Sequence, residues 1–554
     1  MNQVSRRGFL QKAGFAAVGA AALGTVGLVG CSSEPTKAFW MPEKWDEETD
    51  LVVVGYGASG VTAAITGVEE GLGVIVLEKS PNPDGGNFGC STGQIQSSLK
   101  PNDLNEQLEK WAHFNMGAMP EDAALMYKTL SEHEMAMPDW LEGIGLELAT
   151  EERDYKDPSR AIGTNWYSAR GDGGGAELWA NFHEIATDKG VDIRLATPAK
   201  SLIQNPETKE IVGVVAQDAE GNERTIKANK AVIMACGGFE NNPLMQGYYT
   251  EWGVRLWPWG TKYNTGDGIA MCTAVGAQMW HLNGVEWGNL CYRLASEEVE
   301  CAVTNDNNTF LPTGVYNFLL VNKEASRYIC ETEFFSHEPK FGRHHQTYVN
   351  MDLKSYEFTN MPFWLVFDQT AFEAGPIYGG STRVTRKNSY CGVQGYLDDW
   401  NNEEAVQKGW IFKGSTIEEL AAKIEGTAPS GAKISGLDPA ALKATVDTYN
   451  GYAASGEDPE FARTAKTMAP VETGPFYAIE MALTTINTQG GPRRNEFCQS
   501  MNSSDEVIPR LYNVGEFGSY NGGCYNIGNI AEALTTGRFA ALHAKDLESW
   551  DTSK

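Results

Sequence analysis

Residues 49–54 (Thr-Asp-Leu-Val-Val-Val) form a short β-branched run without polar alternation after Asp50, the pattern of a strand covered on both faces. A glycine-rich turn follows, Gly55-Tyr56-Gly57-Ala58-Ser59-Gly60. Residues 61–71 then space Ala, Ile and Val at helical intervals, and residues 74–77 repeat the strand pattern before Glu78 closes it. The apolar strand pattern returns at 230–235, ending in Cys236-Gly237-Gly238-Phe239-Glu240, and at 511–514, ending in Gly515-Glu516. From there the chain passes Gly528-Asn529-Ile530 into an amphipathic stretch at 531–545. Strands alternating with helices predict a parallel α/β sheet.

Strand, Gly-x-Gly-x-x-Gly, helix, strand and acid in this order have a physical reading. Gly55 permits a tight turn, Gly57 lets the backbone approach a pyrophosphate, and Gly60 allows close helix–strand packing. Ala58 and Ser59 lie where free N–H groups and the helix dipole favour phosphate. Glu78, with Lys79 beside it, stands where an acid accepts ribose hydroxyls. Two further segments favour FAD over a nicotinamide dinucleotide. The loop Gly85-Gly86-Asn87-Phe88-Gly89-Cys90-Ser91-Thr92-Gly93 offers a backbone-rich cradle, with Asn87, Phe88, Thr92 and Gly93 as expected contacts. The closing segment offers Glu516, with Asn529 and Ile530 at a helix start aimed at the pyrimidine end of a flavin. Ala199, Gly237 and Gly238 complete the expected cofactor contacts. An opening motif and a distant closing one imply one FAD domain interrupted by an insertion.

Hydrophobic residues make up 42% of the 554 and charged residues 21%, an ordinary globular balance. The net charge is −28, and the first thirty residues carry only positive charge (Arg6, Arg7, Lys12), so the rest is more acidic still. Such a surface argues against nucleic acid as a partner. The ten cysteines (31, 90, 236, 272, 291, 301, 330, 391, 498, 524) make no Cys-x-x-Cys pair. Spacing therefore gives no support for an iron–sulfur cluster, zinc site or c-type haem, although scattered cysteines could still converge on a cluster.

Ser5-Arg6-Arg7-Gly8-Phe9-Leu10 precedes a small, apolar run at 13–29, the pattern of a twin-arginine (Tat) export signal. Leu28-Val29-Gly30-Cys31 has the form of a lipoprotein box. Residues 1–30 are expected to be the signal and 31–48 a tether. Together they place the protein on the outer face of the cytoplasmic membrane, lipid-anchored at Cys31.

The chain resembles the fumarate reductase/succinate dehydrogenase flavoprotein family, in its soluble branch with 3-ketosteroid dehydrogenases, urocanate reductases and exported gut-bacterial ene-reductases. The resembling stretches are 49–93, 165–180 (with Ala169-Arg170-Gly171-Asp172-Gly173-Gly174-Gly175), 230–242, 318–333 and 484–540. The resemblance implies an α/β fold: a Rossmann-like FAD-binding domain (49–282 and 487–554) with an inserted α+β clamp, or capping, domain (283–486). Family members that attach FAD covalently use a His in the loop matching 85–93. No His is present there, which implies non-covalent FAD. Within the clamp, Arg327 and Glu331 are expected to be structural partners.

The residues with which the family reduces fumarate are replaced. Phe335 stands at the catalytic Arg position, Asn487 stands for a His, the His-Pro-Thr run near Gly288 is missing, and Cys524-Tyr525 replace a C-terminal Arg. The resemblance thus implies that the chain is not a true fumarate reductase. A site built of Phe, Asn and Tyr suits a flat, uncharged acceptor. Tyr525 is the expected catalytic proton donor, near the position from which a Tyr works in 3-ketosteroid dehydrogenases; Tyr520 is close enough in sequence to be confused with it. Arg494 reads as surface charge, and His281 and His337 as surface or core histidines.

The expected function is FAD-dependent reduction of an activated C=C in a small molecule, an enone or unsaturated lactone of steroid, cardiac-glycoside or plant-phenolic type. With no second dinucleotide fingerprint, electrons are expected from a separate membrane redox protein. A 3-ketosteroid-type dehydrogenase stays open as an alternative. So does a cinnamate- or urocanate-like enoate reductase, which would need Arg494 or Arg170 as an anchor. A non-enzymatic flavin-carrying lipoprotein is the third.

Overall fold

A computed structural model describes residues 40–91, 93–98, 123–146, 149–152, 164–168, 174–250, 254–258, 260–287, 290–295, 300–303, 311, 314–332, 347, 350–378, 400–520 and 529–550. The expected export signal and Cys31 lie outside the described residues. The chain divides after Glu43 into a short leading unit and a large one, residues 44–554, which holds every element of the fold. No helix among the described residues is long and apolar enough to cross a membrane.

β1 (Glu47–Val54), α1 (Ala58–Glu69) and β2 (Val74–Leu77) open the large unit. After α2 (Ala123–Met135) and α3 (Gly174–Asp188) come β3 (Asp192–Arg194) and a meander of β4 (Ala199–Gln204), β5 (Ile211–Gln217) and β6 (Glu223–Met234). β7 (Trp257–Pro258), α4 (Asp267–Ala274) and β8 (Val285–Trp287) lead to a second sheet. That sheet holds β9 (Cys291–Ala295), β10 (Glu300–Val303), β11 (Phe318–Asn322), β12 (Phe363–Asp368) and β13 (Ile411–Gly414). α5 (Ile417–Lys423) and α6 (Pro439–Ser455) follow, and β14 (Phe476–Ala482) completes the sheet. The chain returns through β15 (Thr484–Thr488), β16 (Gln499–Met501) and β17 (Val507–Asn513) to α7 (Asn529–Ala544).

The first sheet runs β16-β17-β6-β1-β2-β3, with β5 and β4 added through β6. β17, β6, β1, β2 and β3 pair in parallel, while β4, β5 and β16 join antiparallel. Burial explains why this part was legible. Leu51 and Val53 enter one core with Val74, Val76, Ala231 and Ile233, while Val52 and Val54 enter another with Ile75, Leu77, Val232 and Met234. Both faces are covered, so apolar residues occupy every position of 51–54, 74–77 and 231–234, and each fully buried aliphatic side chain contributes about 1.5–3 kcal/mol of transfer free energy. The strand expected at 230–235 is only the second half of β6. Its first residues pair antiparallel with β5, from Gln217 opposite Glu223 to Gly213 opposite Lys227. α1 begins at Ala58 rather than 61, because the glycine turn feeds directly into the helix.

The second sheet is antiparallel, β10-β9-β14-β12-β11 with β13 also on β14. It too is covered on both faces: Leu320, Leu365 and Phe367 enter one core, while Leu319, Trp364 and Val366 pack against α5 and α6. Arg327 is structural here. Its guanidinium donates to both oxygens of Glu331 at 2.8 Å and to Asp458 at 2.8 Å, buried between the rings of Tyr449 and Phe461. β15 joins β7 in parallel and β8 antiparallel, setting Asn487 opposite Glu286.

Candidate active site and its nucleotide grip

β1 lies between β6 and β2, and its C-terminal end meets both neighbours at Gly55, the kind of crevice in which open α/β sheets bind ligands. Gly55 has φ +103° and donates its N–H to Leu77 O at 2.8 Å; a Cβ there would stand 2.3 Å from Ala235 O. A Cβ on Gly60 would stand 2.1 Å from Gly55 O. The chain itself therefore requires both glycines. Gly57 differs. It caps α1 in an extended conformation that any residue adopts, and its Cβ would meet only Gly85 O, at 3.6 Å. Nothing in the described fold excludes a side chain there, so the glycine makes sense against a ligand. No side chain caps α1, which leaves the first-turn N–H groups, those of Ala58, Ser59 and Gly60, to face an anion.

Glu78 is fastened where the ribose of a dinucleotide belongs. Its carboxylate accepts from Tyr56 N at 2.8 Å and Ser80 N at 2.6 Å, and burial pushes its carboxyl up against the pull of those amides. Lys79 reaches Thr265 Oγ1 at 2.6 Å and Asp267 at 2.5 Å, tying β2 to the start of α4.

At the other end of the crevice the polar groups crowd. Asn87 Nδ2 donates to Glu240 Oε1 at 2.8 Å and to Glu516 Oε2 at 3.4 Å, while its Oδ1 accepts Thr261 N at 3.0 Å. Glu240 is buried and also accepts from Asn264 at 2.7 Å and Thr488 Oγ1 at 3.1 Å. Asn529 Nδ2 donates to Glu286 Oε2 at 2.6 Å, and Asn529 Oδ1 accepts from Gln489 at 3.3 Å. Three buried acceptors, Glu516 Oε1, Asn487 Oδ1 and Gln489 Oε1, have no partner among the described residues. Buried polar atoms left unsatisfied call for a ligand rich in hydrogen-bonding groups, and the ribityl chain and ring edge of a flavin dinucleotide supply both donors and acceptors. The open backbone at Gly57, the uncapped helix and these acceptors fit FAD along one crevice.

Gly237 (φ +65°) and Gly238 line the turn after β6, where a Cβ on Gly238 would strike Glu240 Oε2 and Thr488 Oγ1 at 2.3 Å. Gly93 packs on the start of α3, its would-be Cβ 2.7 Å from Gly174 C. Phe88 turns its ring into the core, edge-on to Trp179 and Phe182, so the ring acts in packing. Ala199 opens β4 opposite Ala216, and Ile530 follows Asn529 into α7. Thr92 and Tyr525 lie outside the described residues, as do Arg170, His337 and Phe335.

Arg494 corrects the sequence reading. It is 0% exposed, not surface charge. Its guanidinium pairs with Glu532 in the first turn of α7, donates to Asn513 O at 3.1 Å and Gly515 O at 3.2 Å, and lies 4.1 Å over the Tyr520 ring. It is buried with its charge met by Glu532, and its Nε has no partner among the described residues. Tyr520 is closed off as well: its hydroxyl donates to Asn495 O at 2.7 Å within the core. His281 stacks on Trp280 at 4.3 Å with Nδ1 3.0 Å from Ser519 O, and burial pushes its pKa down to about 4. Glu240, Glu286 and Glu532 are the site residues that the sequence reading missed as a group. Two of them carried a signal, an acid flanked by apolar residues inside an element, in Val285-Glu286-Trp287 and Ala531-Glu532-Ala533; Glu240, in a turn before Asn241, did not. Among the described residues no group of His, Cys, Asp or Glu could hold a metal ion.

Residues 50–529 match the model of a family described as FAD binding domain. The chain belongs to that family. This flavoprotein is similar to a probable fumarate reductase of Shewanella frigidimarina, 24% identical over 517 residues that cover 90% of this chain and 76% of that one. It is similar to a vinyl phenol reductase of Lactiplantibacillus plantarum, 25% identical over 486 residues that cover 84% and 89%. Among solved structures it is similar to a 3-ketosteroid delta1-dehydrogenase of Sterolibacterium denitrificans, with TM-score 0.69 and 20% identity over 90% of this chain and 99% of that one, a likeness of fold. The flavoprotein is an FAD-dependent oxidoreductase of a family that acts on carbon–carbon bonds.

Proposed function

We propose that this flavoprotein reduces an activated C=C bond of a small, uncharged acceptor, an enone, an unsaturated lactone or a phenolic alkene. The observation that carries the reading is the charge around the crevice. Glu240, Glu286 and Glu532 are buried there with Glu516 beside them, and the guanidinium of Arg494 is engaged by Glu532. Asn487, where the resemblance puts a His, is a neutral amide. A carboxylate held about 8 Å from one uncompensated like charge loses about 2 kcal/mol at an effective dielectric of about 20, roughly 30-fold in binding. An uncharged acceptor loses nothing. The name of the vinyl phenol reductase agrees with such an acceptor, since a phenol stays neutral at pH 7.

FAD, when bound, supplies the hydride. The chain holds the cofactor at Gly57, α1 and Glu78, presents Asn487 and Gln489 to what lies beside it, and offers Tyr525 as the proton donor to the carbon next to the activating group. Export by the Tat route, a lipid at Cys31 and an electron-donating membrane partner complete the proposal. The test compares kcat/KM for a vinyl phenol and the cinnamic acid of the same ring, with reduced viologen or NADH as donor. The expected result is a preference of about 30-fold or more for the neutral alkene, with viologen far ahead of NADH. Equal rates on the acid, or fast turnover with NADH, would remove the reading.

A further inference from the structure

We propose that Glu516 is held as a neutral carboxylic acid, sharing one negative charge with Glu240 through the amide of Asn87, and that it meets the cofactor as a hydrogen-bond donor. The inference concerns the FAD grip and stands apart from the choice of acceptor.

The geometry assigns the charge unequally. A single donor, Asn87 Nδ2, serves both carboxylates, at 2.8 Å for Glu240 and 3.4 Å for Glu516. Glu240 has two further donors, Asn264 at 2.7 Å and Thr488 at 3.1 Å, which solvate an anion in a fully buried position. Glu516 has only the longer share of Asn87, and its Oε1 is buried without a partner among the described residues. An ionised carboxylate so poorly supplied loses its hydration and regains little. A proton on Oε1 removes the charge and turns the unpaired acceptor into a donor aimed into the crevice.

The surroundings oppose a second anion from every side. Glu240 faces Glu516 from the turn after β6, Glu286 from β8 and Glu532 from α7. Arg494, which packs against Glu532, is paired with it and also donates to the carbonyls of Asn513 and Gly515. Two carboxyl groups that share a donor without a cation between them titrate as a pair, with the first charge settling on the better-solvated member. Burial, followed by the charges of Glu240 and Glu286, holds the Glu516 carboxyl well above the usual carboxylate range, in agreement with the geometry.

The consequence is a cofactor site that does not press an additional negative charge on a ligand already carrying a diphosphate. A neutral Glu516 donates to an oxygen of the bound FAD, and its amide isostere can do the same.

Two measurements test this. The first is an infrared difference spectrum between the wild type and Glu516→Gln at pH 7. A neutral-acid carbonyl band, shifting in deuterium oxide, should be lost in E516Q. In Glu240→Gln, where one repelling charge is gone, the band should disappear at a lower pH than in the wild type. The second is FAD affinity of the apoprotein by fluorescence quenching. E516Q should bind FAD within about threefold of the wild type at pH 7, because a donor replaces a donor. It should also lack the fall in affinity at alkaline pH that is expected of the wild type. Absence of any acid band lost in E516Q overturns the proposal. So does a band whose pH dependence is the same in E240Q as in the wild type, or a loss of more than about tenfold in FAD affinity in E516Q, the mark of an ionised acceptor.

Discussion

Gly57 gives the sharpest single perturbation, because the fold does not need it and the ligand does. In Gly57→Ala the new Cβ would meet, among the described residues, only Gly85 O, at 3.6 Å, an ordinary contact, and φ is −100°. The apoprotein should lose no more than about 1 kcal/mol, the preference for Gly over Ala at a helix N-cap. In the holoprotein the same methyl stands where backbone N–H groups approach the pyrophosphate. Displacing one or two charge-assisted hydrogen bonds costs about 2–4 kcal/mol, which lowers FAD affinity about 30- to 1,000-fold. Gly60→Ala is the control. Its Cβ would fall 2.1 Å from Gly55 O, so the apoprotein itself should lose about 1–3 kcal/mol or more through overpacking. Fluorescence titration with FAD and thermal melting of both apoproteins separate the two effects. If G57A binds FAD within threefold of the wild type, or melts as low as G60A, the division between what the chain requires and what the ligand requires is wrong.

Of three further outcomes, the first two rest on the same geometry and the third on the sequence. Arg494→Met leaves Glu532 buried without its cation and should destabilise the apoprotein by about 3–5 kcal/mol in denaturant unfolding; a loss under 1 kcal/mol would contradict the buried pair. Glu78, Glu240 and Glu516 all have carboxyl values raised by burial. Above the unfolded value of about 4.3 the folded state binds more protons, so the stability they allow is complete in acid and declines as pH rises through the folded values. The apoprotein should therefore melt lower at pH 8 than at pH 5, with a shallower slope in E516Q; a flat or rising profile would count against this sign. Tyr525→Phe should lower kcat by about 10²–10⁴-fold in steady-state assays while FAD affinity stays unchanged, and wild-type turnover in this variant would remove Tyr525 from its role.

The parallel sheet was legible because its strands are covered on both faces. Residues 49–54 and 74–77 are apolar at nearly every position, and the glycines between them answer to sterics that any such turn imposes. The buried acids were not legible for the opposite reason. With 72 acidic residues in the chain, Glu240, Glu286 and Glu532 look like solvated charge until the sheet, β8 and α7 enclose them. Arg494 was misread through its neighbour. Arg493 does reach outward to the exposed Asp505, while Arg494, in an isolated bridge with Ser500, is buried. Phe88 lies in the expected cofactor loop, and its ring packs in the core against α3. The loop around Tyr525 lies outside the described residues, so the proton donor rests on sequence alone.

The most direct measurement is a single turnover without oxygen. The bound flavin is photoreduced, the enzyme is mixed in a stopped-flow cell with a neutral conjugated alkene or its carboxylate analogue, and the return of the oxidised flavin absorbance is followed while the product is identified. Rapid, saturable reoxidation by the neutral acceptor is expected, with the saturated compound as product, and much slower reoxidation by the carboxylate. A reduced flavin that neutral alkenes leave untouched while a carboxylate discharges it would contradict the proposed chemistry.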